Sequence, residues 1–214
     1  MQGLRLWNID EILDTLDFME TLHYRTIQPP FTLKFREMSR KELIDYFRWF
    51  LQILPERAQE LTNVVKSTTG FSEDWNPDYM PRSLDTLGRW FATQVQTRPR
   101  TEEETAEFEA RSQYPIDRPQ WELTDRTFSM AMDVGMYLAQ TLLRNHPSLK
   151  WDQPFGSKKF IDYGQPVIVG FKGNVPLNPV HIVITLAYGV AAKTKTGKTL
   201  RELYDTWSGM VNRP

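Results

Sequence analysis

Apolar residues recur at steps of three and four along most of this chain, which is the spacing that places them on one face of an α-helix. Two of these runs open with a capping pair, Asn8 with Glu11 and Ser39 with Glu42, in which each residue can cap the other's backbone N–H. The first run ends before Pro29. Its apolar positions are Ile9, Ile12, Leu13, Leu16, Met19 and Leu22. We therefore predict an amphipathic helix from the first run and another that begins after Ser39.

Caps and helix breakers predict further helices in the middle of the chain. Pro55 has no backbone N–H, so it predicts either a break in the second helix or the start of a third one that stops at Gly70. Ser83 predicts the N-cap of the next helix. Residues 124–145 are apolar on more than one face, which is typical of a helix buried among others. Gly135 lies inside this run at a cost of roughly 1 kcal/mol relative to Ala, which predicts a close crossing with another element.

Short apolar runs with β-branched or alternating residues predict a small sheet. The predicted strands are residues 31–36, 149–152 and 166–172. Asn178 followed by Pro179 is a typical helix start, and Thr199 with Glu202 predicts a capping box for a terminal helix. Together these elements predict a mainly helical α+β fold of about seven helices with a small three-stranded sheet.

The polar segment 96–123 is the one place where the sequence suggests that the chain could divide into two domains. Residues 1–214 are predicted to form a single domain, with this segment as a candidate internal break. Thr101 and Glu104 predict the cap of a short helix within it. The acidic run at 102–104 is typical of a solvated helix start, where carboxylates favour the positive end of the helix dipole. A site for a metal or a basic partner is the alternative reading of that run.

Composition excludes several classes of function. The 214 residues carry 26 basic and 27 acidic side chains, so no overall field attracts nucleic acid or an anionic membrane. No apolar stretch approaches the roughly 20 residues that span a bilayer, and the first residues do not resemble a signal peptide. The absence of cysteine excludes a disulfide framework, a thiol nucleophile and a thiolate metal site. We expect a cytoplasmic protein that binds neither nucleic acid nor membrane.

Residues 192–199 fit a loose phosphate-loop pattern, from Ala192 to Gly197, Lys198 and Thr199. Such a loop follows a buried parallel strand and uses glycines to bring backbone N–H groups to the phosphates. Here the first glycine is replaced by Ala192, and a helix start precedes the segment. The pattern therefore favours a solvated turn before the last helix, and nucleotide binding is kept as a minor alternative.

Candidate catalytic residues form no recognisable motif. The histidines His23, His146 and His181 are too far apart in sequence for a local metal motif. Carboxylates fall in predicted loops at Asp74, Asp78, Glu122 and Asp162. The sequence therefore predicts no catalytic residue, no cofactor and no metal site. An enzyme whose site combines such loop carboxylates with His181 is the alternative hypothesis.

Aromatic residues in predicted loops are the best candidates for a recognition surface, because Trp and Tyr often anchor protein interfaces. We select Trp75, Tyr79, Trp151 and Tyr163 as binding residues. The alternative is that these side chains fasten loops to the core. They favour a non-catalytic module with a protein partner, and they name no ligand.

The landmarks of the C-terminal third follow a recognisable order. A glycine-containing helix with Tyr137-Leu138 precedes Lys150-Trp151 and Gly164-x-Pro166, and then come Asn178-Pro179 and Thr199-Leu200. This order resembles that of small uncharacterised bacterial domains, some of which are encoded near toxin and immunity loci. The resemblance covers about a third of the chain and brings no catalytic residues. It implies a bacterial interaction protein with an immunity-like role.

Overall fold

Helix α4 (Asp125–Asn145) lies at the centre of the fold and packs against four other helices. The computed structural model describes residues 24–71, 75–111 and 119–211. The other helices are α1 (Arg40–Ser67), α2 (Ser83–Gln94), α3 (Glu102–Arg111), α5 (Pro179–Ala191) and α6 (Thr199–Gly209), and a 3₁₀ turn covers Lys172–Asn174. The strands are β1 (Thr97–Pro99), β2 (Trp121–Leu123), β3 (Lys150–Asp152) and β4 (Val167–Val169). The predicted mainly helical α+β class is confirmed. The predicted helix at 8–22 lies outside the described residues.

Helix α1 passes through Pro55 without ending, so the two helices expected there are one. Ser39 and Glu42 form the predicted capping box at its start, and the helix reaches Ser67. The prediction of a break was wrong because long-range packing holds the helix on both sides of the proline. Phe50 precedes Pro55 and Leu61 follows it, and both side chains are completely buried.

The predicted three-stranded sheet is replaced by two separate antiparallel pairs among the described residues, β1 with β2 and β3 with β4. The strands near 149–152 and 166–172 are confirmed as β3 and β4. Residues 31–36 are not a strand, because the backbone turns on itself where Met38 N–H donates to the Lys34 carbonyl. Phe31 and Phe35 both pack on Tyr46 of α1 instead of pairing along a sheet edge.

The polar segment 96–123 contains the other strand pair. Strands β1 and β2 lie antiparallel, with Arg98 opposite Glu122, and α3 lies between them in the sequence. The predicted cap of this helix is confirmed, since Thr101 Oγ1 accepts from the Glu104 N–H at 3.1 Å and Glu104 accepts from the Thr101 N–H at 2.9 Å. The candidate break is therefore bracketed by paired strands, and its interior at 112–118 lies outside the described residues.

Helix α5 crosses α4 at the position that the sequence indicated. A Cβ atom added to Gly135 would lie 2.7 Å from the Pro179 carbonyl oxygen, so only glycine fits this crossing without a shift. Asn178 is the N-cap of α5 and Pro179 is its first residue, as predicted. In the part of the chain that the structure describes, no helix combines the length and the apolar character needed to cross a bilayer.

Candidate functional site

A cavity of about 610 Å³ lies between the segment 26–35 and helices α1, α4 and α5. Its walls are mostly apolar and aromatic. The apolar lining residues are Ile27, Pro29, Leu33, Phe35, Tyr46, Phe50, Phe128, Met132, Pro166, Val180 and Ile184. Leu33 is 42% exposed although it lines the cavity, so the cavity opens to the surface beside it. We call this site the apolar cavity.

One wall of the apolar cavity is held in place by a buried polar cluster around Tyr24. The Tyr24 hydroxyl donates to Asp133 Oδ2 at 2.5 Å and lies 2.8 Å from Ser129 Oγ. Ser129 Oγ also accepts from the Ile27 N–H at 2.7 Å, which fixes the backbone where it enters the cavity wall. Arg57 adds a hydrogen bond from Nη1 to the Arg25 carbonyl. These bonds fasten a segment without regular structure to both α1 and α4.

The ionisation of this cluster follows from its burial. Burial raises the pKa of the Tyr24 hydroxyl, and the charge of Asp133 raises it further, so the phenol stays protonated. Burial also raises the pKa of the Asp133 carboxyl, while the hydrogen bonds from Arg57 and Tyr24 oppose that rise. Each hydrogen-bond donor described above binds an acceptor of the protein itself. The cluster therefore holds residues 24–27 against α1 and α4.

The opposite edge of the apolar cavity carries amide and carboxylate groups. Asn178 Nδ2 donates to Asp162 Oδ1 at 2.9 Å and to Gln165 Oε1 at 3.0 Å, and Asn178 Oδ1 accepts from the His181 N–H at 3.0 Å. Gln165 Nε2 donates to the Ile161 carbonyl, which ties the loop before β4 to this edge. The amides of this edge are therefore hydrogen-bonded within the protein.

His181 lies beside this edge and close to Asp162. The structure thus brings together two residues named in the alternative hypothesis of an enzyme. His181 Nδ1 lies 3.3 Å from Asp162 Oδ1, and the carboxylate side chain is 10% exposed against 43% for the imidazole. A carboxylate at Nδ1 favours the tautomer that carries its proton there, which leaves Nε2 as the basic nitrogen. The arrangement can orient an imidazole as a general base.

The other loop carboxylates have partners of their own. Asp78 accepts from the Met80 N–H at 2.9 Å and caps a turn. Glu122 pairs with Arg100 at 3.0 Å and accepts from the Tyr188 hydroxyl. Neither is paired with a histidine, and Asp74 and His23 lie outside the described residues. Among the residues that the structure describes, no group of three or more His, Asp or Glu side chains is placed to hold a metal ion.

The four aromatic residues selected from the sequence do not form one surface, because each packs on a different neighbour or shares only Tyr137. Trp75 is buried and donates from Nε1 to the Ser83 carbonyl at 3.0 Å. Tyr79 is stacked between Tyr137 and the guanidinium of Arg144, which lies 3.7 Å from the Tyr79 ring centre. Both contact Tyr137 of α4 and fasten the loop before α2 to it.

Trp151 and Tyr163 pack on other residues, away from Tyr137. The ring of Trp151 packs edge-on against Phe50, and its Nε1 is buried without a hydrogen-bond partner among the described residues. Tyr163 is buried and packs edge-on against Phe155. Neither residue lines the apolar cavity, although Phe50 connects Trp151 to its wall. Their role in recognition stays a prediction.

The segment before α6 lacks the geometry of a phosphate loop. The N–H groups of Thr199 and Leu200 donate to the carbonyls of Thr196 and Gly197, so they are not directed at an anion. Gly197 is buried against Gly88 of α2, where an added Cβ atom would lie 2.4 Å from the Gly88 oxygen. The solvated turn is thus supported over the nucleotide alternative. The predicted capping box was wrong, because Lys198 is the N-cap and makes no side-chain cap bond.

Sequence reasoning did not find the apolar cavity. Its walls come from a segment without regular structure and from three helices that are distant in sequence. Leu33 and Phe35 line the cavity, and both were assigned to the predicted strand at 31–36. Comparison with known proteins adds no assignment, since no protein family, curated protein or solved structure matches the chain.

Proposed function

We propose that the protein is a non-catalytic protein-binding module that receives apolar side chains of a partner in the apolar cavity. The observation that carries the proposal is an apolar cavity of about 610 Å³ that opens beside an exposed leucine, Leu33. Pockets of this size with apolar walls and a few polar edge groups are typical of binding sites. A bacterial, cytoplasmic, immunity-like role is the specific form of the proposal.

The chemistry of the cavity favours an apolar side chain over a polar small molecule. The amides of Gln165 and Asn178 are bonded to neighbouring groups, so the edge offers few free donors for a polar ligand. Apolar anchors that fill such a pocket contribute most of the affinity at protein interfaces.

The test uses the protein encoded beside this one, because immunity proteins neutralise the product of a neighbouring gene. We expect expression of that neighbour alone to arrest growth and co-expression of this chain to restore it. Leu33→Asp should abolish the rescue, since a carboxylate at the opening opposes an apolar anchor. Val175→Asp is the matched control, because Val175 is 46% exposed and does not line the cavity.

Isothermal titration calorimetry with the purified protein from the neighbouring gene measures how each of the two substitutions changes the affinity. Leu33→Asp should weaken binding at least about tenfold, which corresponds to 1.4 kcal/mol, and Val175→Asp should leave it unchanged. Equal affinities of the two variants would show that the partner does not bind in the apolar cavity. The absence of any binding or rescue would overturn the immunity-like role. Cell fractionation tests the cytoplasmic location.

A hydrolytic enzyme is the second candidate function, and the 3.3 Å approach of His181 to Asp162 favours it. Val180 and Ile184 of the same helix line the apolar cavity, so an apolar acyl group there would lie near the imidazole. A panel of p-nitrophenyl esters of increasing chain length provides the test. Turnover that is lost in His181→Gln and retained in His146→Gln would support hydrolysis, and turnover no faster than the uncatalysed background would count against it.

A further inference from the structure

One polar group in the wall of the apolar cavity has no partner within the described protein. Tyr46 of α1 lines the cavity and is only 4% exposed. Its hydroxyl makes no hydrogen bond to any residue that the structure describes. Buried tyrosine hydroxyls usually have a hydrogen-bond partner, so an unpaired one in a cavity wall indicates a group that a ligand can bind.

The hydroxyl of Tyr46 is not sealed inside the protein. Among the described residues, Nε1 of Trp151 is the one buried side-chain polar atom that lacks both accessible surface and a hydrogen-bond partner. The hydroxyl oxygen of Tyr46 therefore keeps some accessible surface. Because Tyr46 lines the apolar cavity, this surface is open to a molecule that enters the cavity.

Other aromatic rings hold the ring of Tyr46 in place. Phe31 and Phe35 pack edge-on against it, with ring centroids 5.8 and 5.1 Å from that of Tyr46. The rings of Trp49 and Phe50 lie at 5.5 and 6.3 Å. Four neighbouring rings restrict the movement of this side chain before a ligand binds, which lowers the entropic cost of binding.

The ionisation of Tyr46 determines which group it can bind. Burial raises the pKa of its hydroxyl, so the phenol keeps its proton and can donate a hydrogen bond. A leucine or phenylalanine of a partner would exclude water from this donor and leave it unpaired, which is unfavourable. A tryptophan offers only a second donor. A tyrosine combines an apolar ring with a hydroxyl oxygen that accepts a hydrogen bond.

We propose that Tyr46 is a specificity-determining residue of the apolar cavity and that it selects a tyrosine among the side chains that the partner inserts. The Tyr46 hydroxyl donates to the hydroxyl oxygen of that tyrosine. This inference rests on the proposed function, because it names one of the partner's anchors. Selection of this kind is effective, since a ligand without the hydroxyl leaves a buried polar group of the site unpaired.

The side-chain analogues p-cresol and toluene test the pairing in the full-length protein, because they differ only in the hydroxyl group. Ligand-observed NMR titrations measure the Kd of each analogue, and comparing the ratio of the two Kd values between proteins removes the difference in their hydration. Tyr46→Phe should shift this ratio about tenfold in favour of toluene, which corresponds to 1.4 kcal/mol. Tyr204→Phe is the control and should leave the ratio unchanged, because Tyr204 is buried and does not line the cavity.

The possible results separate this inference from the proposed function. An unchanged ratio in Tyr46→Phe, with both analogues still bound, would overturn the role of Tyr46 and leave the apolar cavity as a binding site. If neither analogue binds, the cavity does not receive aromatic side chains, and that result would count against the proposed function as well.

Thermal denaturation without a ligand provides a second readout. Tyr46→Phe should not lower the Tm, because the substitution removes no hydrogen bond within the described protein. A lower Tm than that of the unsubstituted protein would show that the hydroxyl is already bonded within the fold, and this would also overturn the inference.

Discussion

The carboxylate of Asp133 in α4 accepts two hydrogen bonds from the guanidinium of Arg57 in α1, from Nε to Oδ1 at 2.8 Å and from Nη2 to Oδ2 at 2.7 Å. Both side chains are almost inaccessible to solvent, at 4% for Arg57 and 0% for Asp133. The pair connects two helices and also holds Tyr24 at the wall of the apolar cavity.

Breaking this pair should destabilise the fold strongly. Arg57→Met leaves a buried carboxylate without its cation, which typically costs about 3–5 kcal/mol. The double variant Arg57→Met with Asp133→Leu should lose less, because no unpaired charge stays buried. Urea unfolding measures both. A double variant at least as unstable as the single one would contradict this account of the pair.

Gly88 should not tolerate a methyl group. A Cβ atom there would lie 2.1 Å from the Gly197 oxygen, where α2 meets the turn before α6. Gly88→Ala should therefore lower the free energy of unfolding by about 1–3 kcal/mol through overpacking. Gly209→Ala is the control, because that helical glycine has no atom within 4 Å of the added Cβ. Thermal denaturation should show a lower Tm for the first variant and an unchanged or higher Tm for the second.

The same substitution should have different effects at two tryptophans. Trp75→Phe removes the donor to the Ser83 carbonyl and should cost about 1–3 kcal/mol beyond the change in size. Trp151→Phe removes an Nε1 that has no partner among the described residues, so it should cost clearly less. Chemical denaturation compares the two variants. A larger loss at Trp151 would show that its donor is bonded in solution.

His146 should make the fold sensitive to acid. Burial lowers the pKa of His146 below its ordinary value of 6.5, while its ring contacts Tyr204 and Ser208. Below about pH 6.5 the unfolded chain binds more protons at this residue than the folded protein, so acidification favours unfolding. The free energy of unfolding should fall between pH 7.5 and pH 5.5, and it should fall less in His146→Gln. An equal decrease in both proteins would exclude His146 as a cause.

Several local features could be predicted because they depend on residues close in sequence. Ser39 with Glu42 and Thr101 with Glu104 form capping boxes in the structure, as their spacing indicated. The cap by Asn178 ahead of Pro179 was likewise found. Each of these motifs satisfies backbone N–H groups within one helical turn, so tertiary contacts have little influence on it.

Local signals failed where distant residues decided the outcome. Alternation at 31–36 predicted a strand, yet Phe31 and Phe35 pack on Tyr46, and none of the strands that the structure describes pairs with this segment. Thr199 with Glu202 had the spacing of a capping box, but the packing of Gly197 on Gly88 fixes a different helix start. In both cases contacts with other elements outweighed a weak local preference.

The sequence by itself determined the mainly helical class, the central position of residues 124–145 and the close crossing at Gly135, because apolar periodicity and glycine placement express them directly. Only the tertiary structure decided the apolar cavity, the pairing of Arg57 with Asp133 and the approach of His181 to Asp162. Arg57 and Asp133 are 76 positions apart, and no local pattern specifies which buried charge meets which. Such pairings follow from how whole helices pack, since a buried charge is stable only where packing supplies its partner.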